Sequence, residues 1–344
     1  MAQLKARQSR FTYIRIKINN HLSLGAACMN WIDDFVAKLF PLDVSVQELE
    51  AAFLLKYKNI PHRLFKYREV NKYSIENLVD DTVWLADPAT FNDPYDCHHF
   101  INYNQLSNDI LITMPQELRD RLPQDKLEEI ENSISLAEDP NSAMVDILLR
   151  DVAPEKAAAM KAALLGVTSA AFEKMGTDGA NRMKDAFKVC SFSERVDSTL
   201  MWSHYANYHK GFCIEYDIKS VHPGDYVSRF MYPVIYSEHP FDATPNMLRV
   251  GRAGFNNLYL NLAGLIKSMD WGYEKEWRLI FANGVLDKAQ SWKMPVPKAI
   301  YLGSHISPDD QARLTDICMS KGISILKMHH SRGAFVMEAR PIVA

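Results

Sequence analysis

The sequence lacks three features that would at once place a protein in a broad class: a C-x-x-C pair, an apolar run long enough to cross a bilayer, and an excess of basic residues. Its five cysteines are scattered and odd in number, which is typical of reduced thiols in a cytoplasmic protein and gives no zinc signature. The net charge of −3 produces no basic field, so binding to nucleic acid is not indicated. Residues 1–20 contain no continuous apolar core, so we expect neither a secretion signal nor contact with a membrane.

The remaining composition is that of an ordinary globular protein, with 47% hydrophobic and 24% charged residues over 344 positions. That length suits two domains, or one core domain with large additions. We expect a helical preamble at residues 1–60, because residues 31–39 and 46–55 carry apolar side chains at helical spacing. Apolar and polar side chains alternate loosely over residues 1–20, which fits either a strand or a mobile arm.

Residues 61–344 are predicted to form an α+β core with a helical insertion at 105–188. Helices of the insertion are expected at residues 115–122, 124–136, 142–149, 154–165 and 179–188, and their Glu and Lys pattern is typical of a solvated face. Core strands are expected at residues 63–68, 83–85, 189–192, 212–216, 233–236, 276–281, 298–302 and 323–327, and core helices at 256–268 and 307–320. This pattern predicts a mostly antiparallel sheet decorated with helices.

One short helix, between the strands at 189–192 and 212–216, is unusually rich in rings. It is expected to begin after Asp197 or Ser198 and to end with Gly211 in the left-handed conformation. Within eight residues it carries Trp202, His204, Tyr205, Tyr208 and His209. Such side chains need partners for their polar tips when they are buried, which favours a cleft for a flat, hydroxylated ligand. The alternative is an amphipathic surface helix whose rings lie at the edge of the core.

A second group of polar side chains lies in residues 271–281. Read as one strand, this stretch places Glu274, Glu276 and Arg278 on the same face, with the two carboxylates within roughly 7 Å of each other. Neighbouring like charges raise the cost of ionising both groups, which is one way to prepare an acid or a base. The alternative is an exposed ladder of ion pairs in which Arg278 binds a glutamate.

Four motifs together carry a resemblance to known proteins. They are F-N-D-P-Y-D at 91–96, C-S-F-S at 190–193, M-W-S-H-Y-A-x-x-H-K-G-F-C-I-E-Y-D at 201–217 and Y-x-K-E-W-R-L-I at 273–280. In this order they resemble a bacterial family catalogued as a domain of unknown function, whose members often look like phage-defence or toxin proteins. The motif order is also similar to that of the ADP-ribosyltransferase superfamily.

The resemblance implies a split-sheet core and an enzyme that takes NAD as a substrate, cleaves its nicotinamide–ribose bond and needs no metal. It implies a macromolecular acceptor, which the sequence does not identify. The positions that would act in catalysis are Glu276, Glu274, Tyr205 and His204. The positions that would bind NAD are Arg68 or Tyr67 on the first strand, Trp202 as a stacking ring, and Ser191 and Ser193.

The same residues are also compatible with two other functions. The same aromatic cleft fits a non-catalytic nucleotide-binding sensor. A metal-dependent nuclease would use Asp93, Asp96, His98, His99, His204 and His209, but these lack the i, i+4 spacing of a helical metal pair. Residues 92–94 are better explained as a tight turn before a proline.

Overall fold

The computed structural model describes residues 30–103, 105, 124–249 and 253–342, so the expectations for residues 1–20 and for a helix at 115–122 lie outside the described residues. The strands are β1 (Leu64–Arg68), β2 (Thr82–Leu85), β3 (His99–Phe100), β4 (Phe187–Ser193), β5 (Phe212–Tyr216), β6 (Met231–Pro233), β7 (Ile235–Ser237), β8 (Phe241–Asp242), β9 (Ile266–Ser268), β10 (Glu276–Ala282), β11 (Gln290–Lys293), β12 (Ala299–Leu302), β13 (Ser324–His330) and β14 (Met337–Pro341). The helices are α1 (Trp31–Leu39), α2 (Leu49–Asn59), α3 (Lys72–Val79), α4 (Gln124–Leu136), α5 (Pro140–Leu148), α6 (Pro154–Asp185), α7 (Thr199–Tyr205), α8 (Tyr226–Arg229), α9 (Thr244–Met247) and α10 (Pro308–Lys321).

The centre of the fold is an eight-stranded sheet in the order β14-β13-β12-β5-β1-β4-β10-β6. All of its strand pairs are antiparallel except β12 with β13, which is parallel. The predicted α+β class with a mostly antiparallel sheet is therefore confirmed. None of the helices in the described part of the chain is long and apolar enough to cross a membrane.

Both faces of the central strands are buried. In β5, Phe212, Ile214 and Tyr216 pack into one apolar cluster, whereas Cys213 packs with the ring of Trp202 in another. The alternation read from the sequence is thus present, because successive side chains of a strand point to opposite faces. The four described cysteines, Cys97, Cys190, Cys213 and Cys318, are free and buried.

The sheet is held together unevenly at its middle. β1 pairs with β5 along its whole length and β4 pairs with β10 along its whole length, but β1 and β4 are joined only at Phe65 and Ser193 within the described residues. Beyond that pair, the Lys66 ammonium group donates a hydrogen bond to the Ser191 carbonyl oxygen at 3.0 Å. The two halves of the sheet therefore separate between β1 and β4, and a gap opens there.

Three expected helices differ from the structure. The helices predicted at 154–165 and 179–188 are one helix, α6, and residues 187–188 belong to β4 instead. The expected helix at 256–268 is a 3₁₀ segment, Asn257–Gly264, followed by β9. At the end of this segment Gly264 packs closely against Ile280 of β10, where a Cβ would overlap that side chain.

Lys56 on α2 is a buried lysine whose side-chain nitrogen is held by carbonyl groups. It is 1% exposed, and its ammonium group donates to the carbonyl oxygens of Ser228, at 3.0 Å, and Arg229 and lies 4.3 Å from the ring centre of Tyr232. Burial, followed by the charge of Arg229, lowers the pKa of Lys56 well below its usual 10.5.

The lowered pKa of Lys56 predicts a specific pH dependence of stability. Between the lowered folded pKa and 10.5 the unfolded chain binds more protons than the folded chain, so the free energy of unfolding rises with pH in that window. Relative to Lys56→Met, the wild type should gain up to about 1.4 kcal/mol per pH unit, measured by chemical denaturation between about pH 7 and pH 10. Parallel curves for the two proteins would contradict this account.

Candidate active site

A cleft lies where the sheet separates between β1 and β4, and it has about 650 Å³ of free space, part of it open to solvent. Its walls come from both halves of the sheet, from the F-N-D-P-Y-D loop and from α7. The lining residues are Phe65, Lys66, Tyr67, Phe91, Asn92, Asp96, Ser191, Phe192, Ser193, Met201, Tyr205, Lys267, Glu274 and Glu276.

Helix α7 brings Tyr205 to the cleft. The Ser198 hydroxyl caps its first turn by accepting from the Met201 N–H, as expected. The end of the helix differs from the prediction: the left-handed residues are Asn207, Tyr208 and His209 rather than Gly211. The glycine is needed because a Cβ at position 211 would overlap the Arg68 carbonyl oxygen, so the turn packs directly on β1.

The two glutamates meet at the inner end of the cleft by a route that differs from the predicted strand. β10 begins only at Glu276, while Glu274 ends the 3₁₀ segment Met269–Glu274, and Lys275 between them is left-handed with φ of 44°. The Lys267 ammonium group of β9 donates to Glu274 Oε2 at 2.6 Å and to Glu276 Oε2 at 2.9 Å. Both glutamates are nearly inaccessible, 3% and 4% exposed, so the alternative of an exposed ion-pair ladder is wrong.

Arg278 connects this pair to the F-N-D-P-Y-D loop. Its fully buried guanidinium group binds both carboxylate oxygens of Asp96 at 2.7 Å, and its Nε donates to Glu276 Oε1 at 2.8 Å. A further bond runs to the Gly264 carbonyl oxygen at 2.8 Å. The planar fork of arginine suits such a bidentate contact, so Arg278 fixes the loop and β10 relative to each other.

The surroundings of the two glutamates push their pKa values in opposite directions. Burial acts to raise the pKa of Glu276, but the charges of Arg278 and Lys267 outweigh it and hold that pKa well below its usual range. For Glu274, burial and the charge of Glu276 outweigh Lys267, and its pKa is raised. The Tyr205 hydroxyl donates to Glu274 Oε1 at 2.6 Å, and burial followed by the charge of Glu274 raises the pKa of that hydroxyl. Glu276 is therefore a fixed anion, whereas Glu274 is suited to exchanging a proton.

The structure brings together most of the residues predicted for the site, namely Glu274, Glu276, Tyr205, Tyr67, Ser191 and Ser193. The Ser193 hydroxyl is already engaged, since it donates to the Glu274 carbonyl oxygen at 2.5 Å. Tyr67 is also committed, because its hydroxyl donates to the Arg195 carbonyl oxygen at 2.7 Å.

Three predicted residues lie away from the cleft walls: Arg68, Trp202 and His204. Trp202 is completely buried, its Nε1 donates to the Val196 carbonyl oxygen at 2.7 Å, and its ring packs edge-on to Tyr67. It therefore supports the wall instead of presenting a face to a ligand. His204 is exposed. Arg68 lies at the end of β1, next to α7, and does not line the cleft. Lys66 on the same strand is the basic residue that reaches the cleft.

Sequence reasoning missed Lys267, Lys66 and the contact of Asp96 with Arg278. Lys267 was hidden because residues 256–268 carry apolar side chains at a spacing that predicts a helix, in which a lysine is an ordinary surface residue. Lys66 is found in the Phe-Lys-Tyr-Arg stretch, and only the gap between β1 and β4 shows which basic residue enters the cleft.

No group of three or more His, Cys, Asp or Glu side chains in residues 30–103, 124–249 and 253–342 could hold a metal ion. Asp93 instead accepts from the Tyr95 N–H at 2.9 Å, which is the tight turn expected at 92–94. The residues considered for a metal-dependent nuclease thus do not form a metal centre in the described part of the chain.

No curated protein and no solved structure matches this chain. A family model does match part of it, from within α7 to the middle of β10. That segment contains Tyr205, Lys267, Glu274 and Glu276. Residues 201–279 thus match the family described as protein of unknown function (DUF2971), which fits the expected resemblance to an uncharacterised family.

Proposed function

We propose that the cleft binds NAD and that the protein is an ADP-ribosyltransferase-like enzyme that cleaves the nicotinamide–ribose bond. The observation that carries the proposal is the pair of buried carboxylates, Glu274 and Glu276, that Lys267 joins at the inner end of the cleft. The separation of the sheet between β1 and β4 supports it, because both carboxylates line the cleft that opens there.

The proposed reaction begins with loss of nicotinamide. The bond from ribose C1′ to the ring nitrogen breaks, its electron pair leaves with neutral nicotinamide, and the ribose becomes an oxocarbenium-like cation, as in glycoside cleavage. The fixed negative charge of Glu276 stabilises this cation electrostatically. The acceptor then forms a bond to C1′ and its proton passes to Glu274, with Tyr205 orienting that carboxylate.

Binding of the substrate would use the other wall of the cleft. The Lys66 ammonium group reaches the cleft and donates to the Ser191 carbonyl oxygen, and no ion pair joins it to a carboxylate among the described residues. Its charge is thus available for a phosphate, so Lys66 takes the place that the resemblance gave to Arg68. The partly exposed rings of Phe91 and Tyr205 offer flat faces for nicotinamide.

The direct test is to incubate the purified protein with NAD and follow free nicotinamide by chromatography. We expect release at the same rate with and without a chelator. A rate that a chelator abolishes would favour metal chemistry instead, and an absence of both NAD binding and nicotinamide release would contradict the proposal.

A non-catalytic nucleotide sensor is the second candidate, and one observation favours it. Glu276 already accepts three hydrogen bonds, from Lys267 and from two nitrogens of Arg278, which leaves little capacity for a substrate hydroxyl. A sensor would bind NAD by calorimetry and release no nicotinamide. The macromolecular acceptor and a role in phage defence or as a toxin remain predictions from the resemblance.

A further inference from the structure

Lys267 occupies the point where the two glutamates meet. It is 8% exposed, β9 is paired with β7 so that Lys267 lies beside Tyr236, and the ammonium group lies 4.9 Å from the ring centre of Trp271. From this fixed position it donates to both carboxylates, at 2.6 Å to Glu274 and 2.9 Å to Glu276. Such short distances between charged partners are typical of strong, charge-assisted hydrogen bonds.

The two carboxylates differ in how much of their hydrogen-bonding capacity is used. A carboxylate offers about four acceptor positions. Glu276 uses three of them for Lys267 and Arg278, whereas Glu274 uses two, for Lys267 and Tyr205. Glu274 therefore keeps more capacity to accept a proton or a hydrogen bond from a ligand.

The charges are also unequal. Three carboxyl groups, of Asp96, Glu274 and Glu276, face two cations, Lys267 and Arg278. Arg278 is occupied by Asp96 and Glu276, so Glu274 depends on Lys267 for its neighbouring positive charge. The titratable and charged groups that act on Glu274 or are acted on by it are Tyr205 of α7, Tyr236 of β7, Lys267 of β9, Tyr273 of the 3₁₀ segment and Glu276 of β10.

We infer that Lys267 is a positioning residue that gives the two carboxylates different roles. Glu276 is the fixed anion, and Glu274 is the proton acceptor. It acts through Glu274, since it lowers the cost of ionising that carboxylate and holds it beside Tyr205. The inference rests on the proposed function, because it assigns the regulation of proton transfer at the same site. The opposite pKa shifts of the two glutamates agree with it.

The test replaces Lys267 by methionine, which keeps the chain length and removes the charge, and by arginine, which keeps the charge. In Lys267→Met, Glu276 retains Arg278 but Glu274 retains only Tyr205. We expect the acid limb of the pH profile for multiple-turnover nicotinamide release, in which each cycle ends with proton transfer to Glu274, to move up by about 1 to 3 pH units, the usual effect of a nearby opposite charge. Lys267→Arg should restore most of the wild-type profile, and Lys275→Met, an exposed lysine between the two glutamates, should leave it unchanged.

A second measurement does not depend on activity. Carbon-13 resonances of the glutamate carboxyl groups, with Glu274 assigned by Glu274→Gln, report its titration in the free protein. We expect the Glu274 midpoint to rise in Lys267→Met by the same amount as the acid limb. An unchanged midpoint in folded Lys267→Met would overturn the inference, whereas a wild type that titrates as expected but releases no nicotinamide would refute only the proposed function.

Discussion

Asp96→Ala is expected to lower the free energy of unfolding by about 3–5 kcal/mol, the usual cost of leaving a buried charge without its partner. Arg278 is completely buried, and Asp96 supplies two of its hydrogen bonds at 2.7 Å. Without them the guanidinium group keeps Glu276, the Gly264 carbonyl oxygen and a long contact with Cys97 Sγ at 3.8 Å, and two of its N–H groups lose charged acceptors. Urea denaturation of both proteins at neutral pH measures the difference.

Two comparisons separate this explanation from a general effect of removing an acidic side chain. Glu338→Ala breaks an exposed pair with Arg340 and should leave the free energy of unfolding almost unchanged, because solvent screens exposed ion pairs. The double replacement of Asp96 by leucine and Arg278 by methionine removes both charges and should cost less than Asp96→Ala alone, because no unpaired cation remains. A loss below about 1 kcal/mol for Asp96→Ala would show that Arg278 does not need this partner.

The parts of the fold that could be predicted from the sequence are those whose signal is local. Helix α1 has the bounds that its apolar spacing predicts, and β5 has the alternation that its sequence shows. The 3₁₀ segment Asn257–Gly264 could not be predicted, since its apolar residues also fit a helical period. Gly264 at its end packs against Ile280, and that contact exists only in the assembled sheet.

The candidate site shows the same division between local and distant signals. Tyr205 and the two glutamates could be singled out because polar rings and paired carboxylates are conspicuous in short stretches. The ion pair that holds Glu276 in place could not be found this way, although Arg278 donates to Glu276. Asp96 and Arg278 are separated by 182 positions, and only the packing of the F-N-D-P-Y-D loop against β10 joins them.

The sequence predicts that Glu274 and Glu276 lie close together, and they do, but the structural cause differs from the predicted one. An i, i+2 pair on a strand places both side chains on one face, but here the left-handed Lys275 interrupts the strand. The carboxylates converge because both bind Lys267. This origin matters for function, since the arrangement depends on one cation and not on the regular repeat of a strand.

Glu276→Gln is expected to reduce nicotinamide release about 10²–10³-fold, the usual loss when one group that stabilises transition-state charge is removed. Glutamine keeps the size of the side chain and an oxygen that accepts from Arg278, but it has no negative charge to offset the ribosyl cation. The variant should still fold, because Arg278 retains Asp96 and Lys267 retains Glu274. Rates of nicotinamide release and NAD affinity by calorimetry, measured on the same samples, test both statements.

The matched control is Glu194→Gln, which removes a carboxylate at the end of β4 that binds the Trp277 ring nitrogen and does not line the cleft. Its rate should stay within a few-fold of the wild type, so a specific loss in Glu276→Gln cannot be attributed to the overall charge. Unchanged NAD affinity together with a large loss of rate identifies Glu276 with the transition state and not with binding of the ground state. A folded Glu276→Gln variant that keeps more than about a tenth of the wild-type rate would instead mean that the charge at position 276 serves the ion-pair cluster alone, with catalysis carried elsewhere.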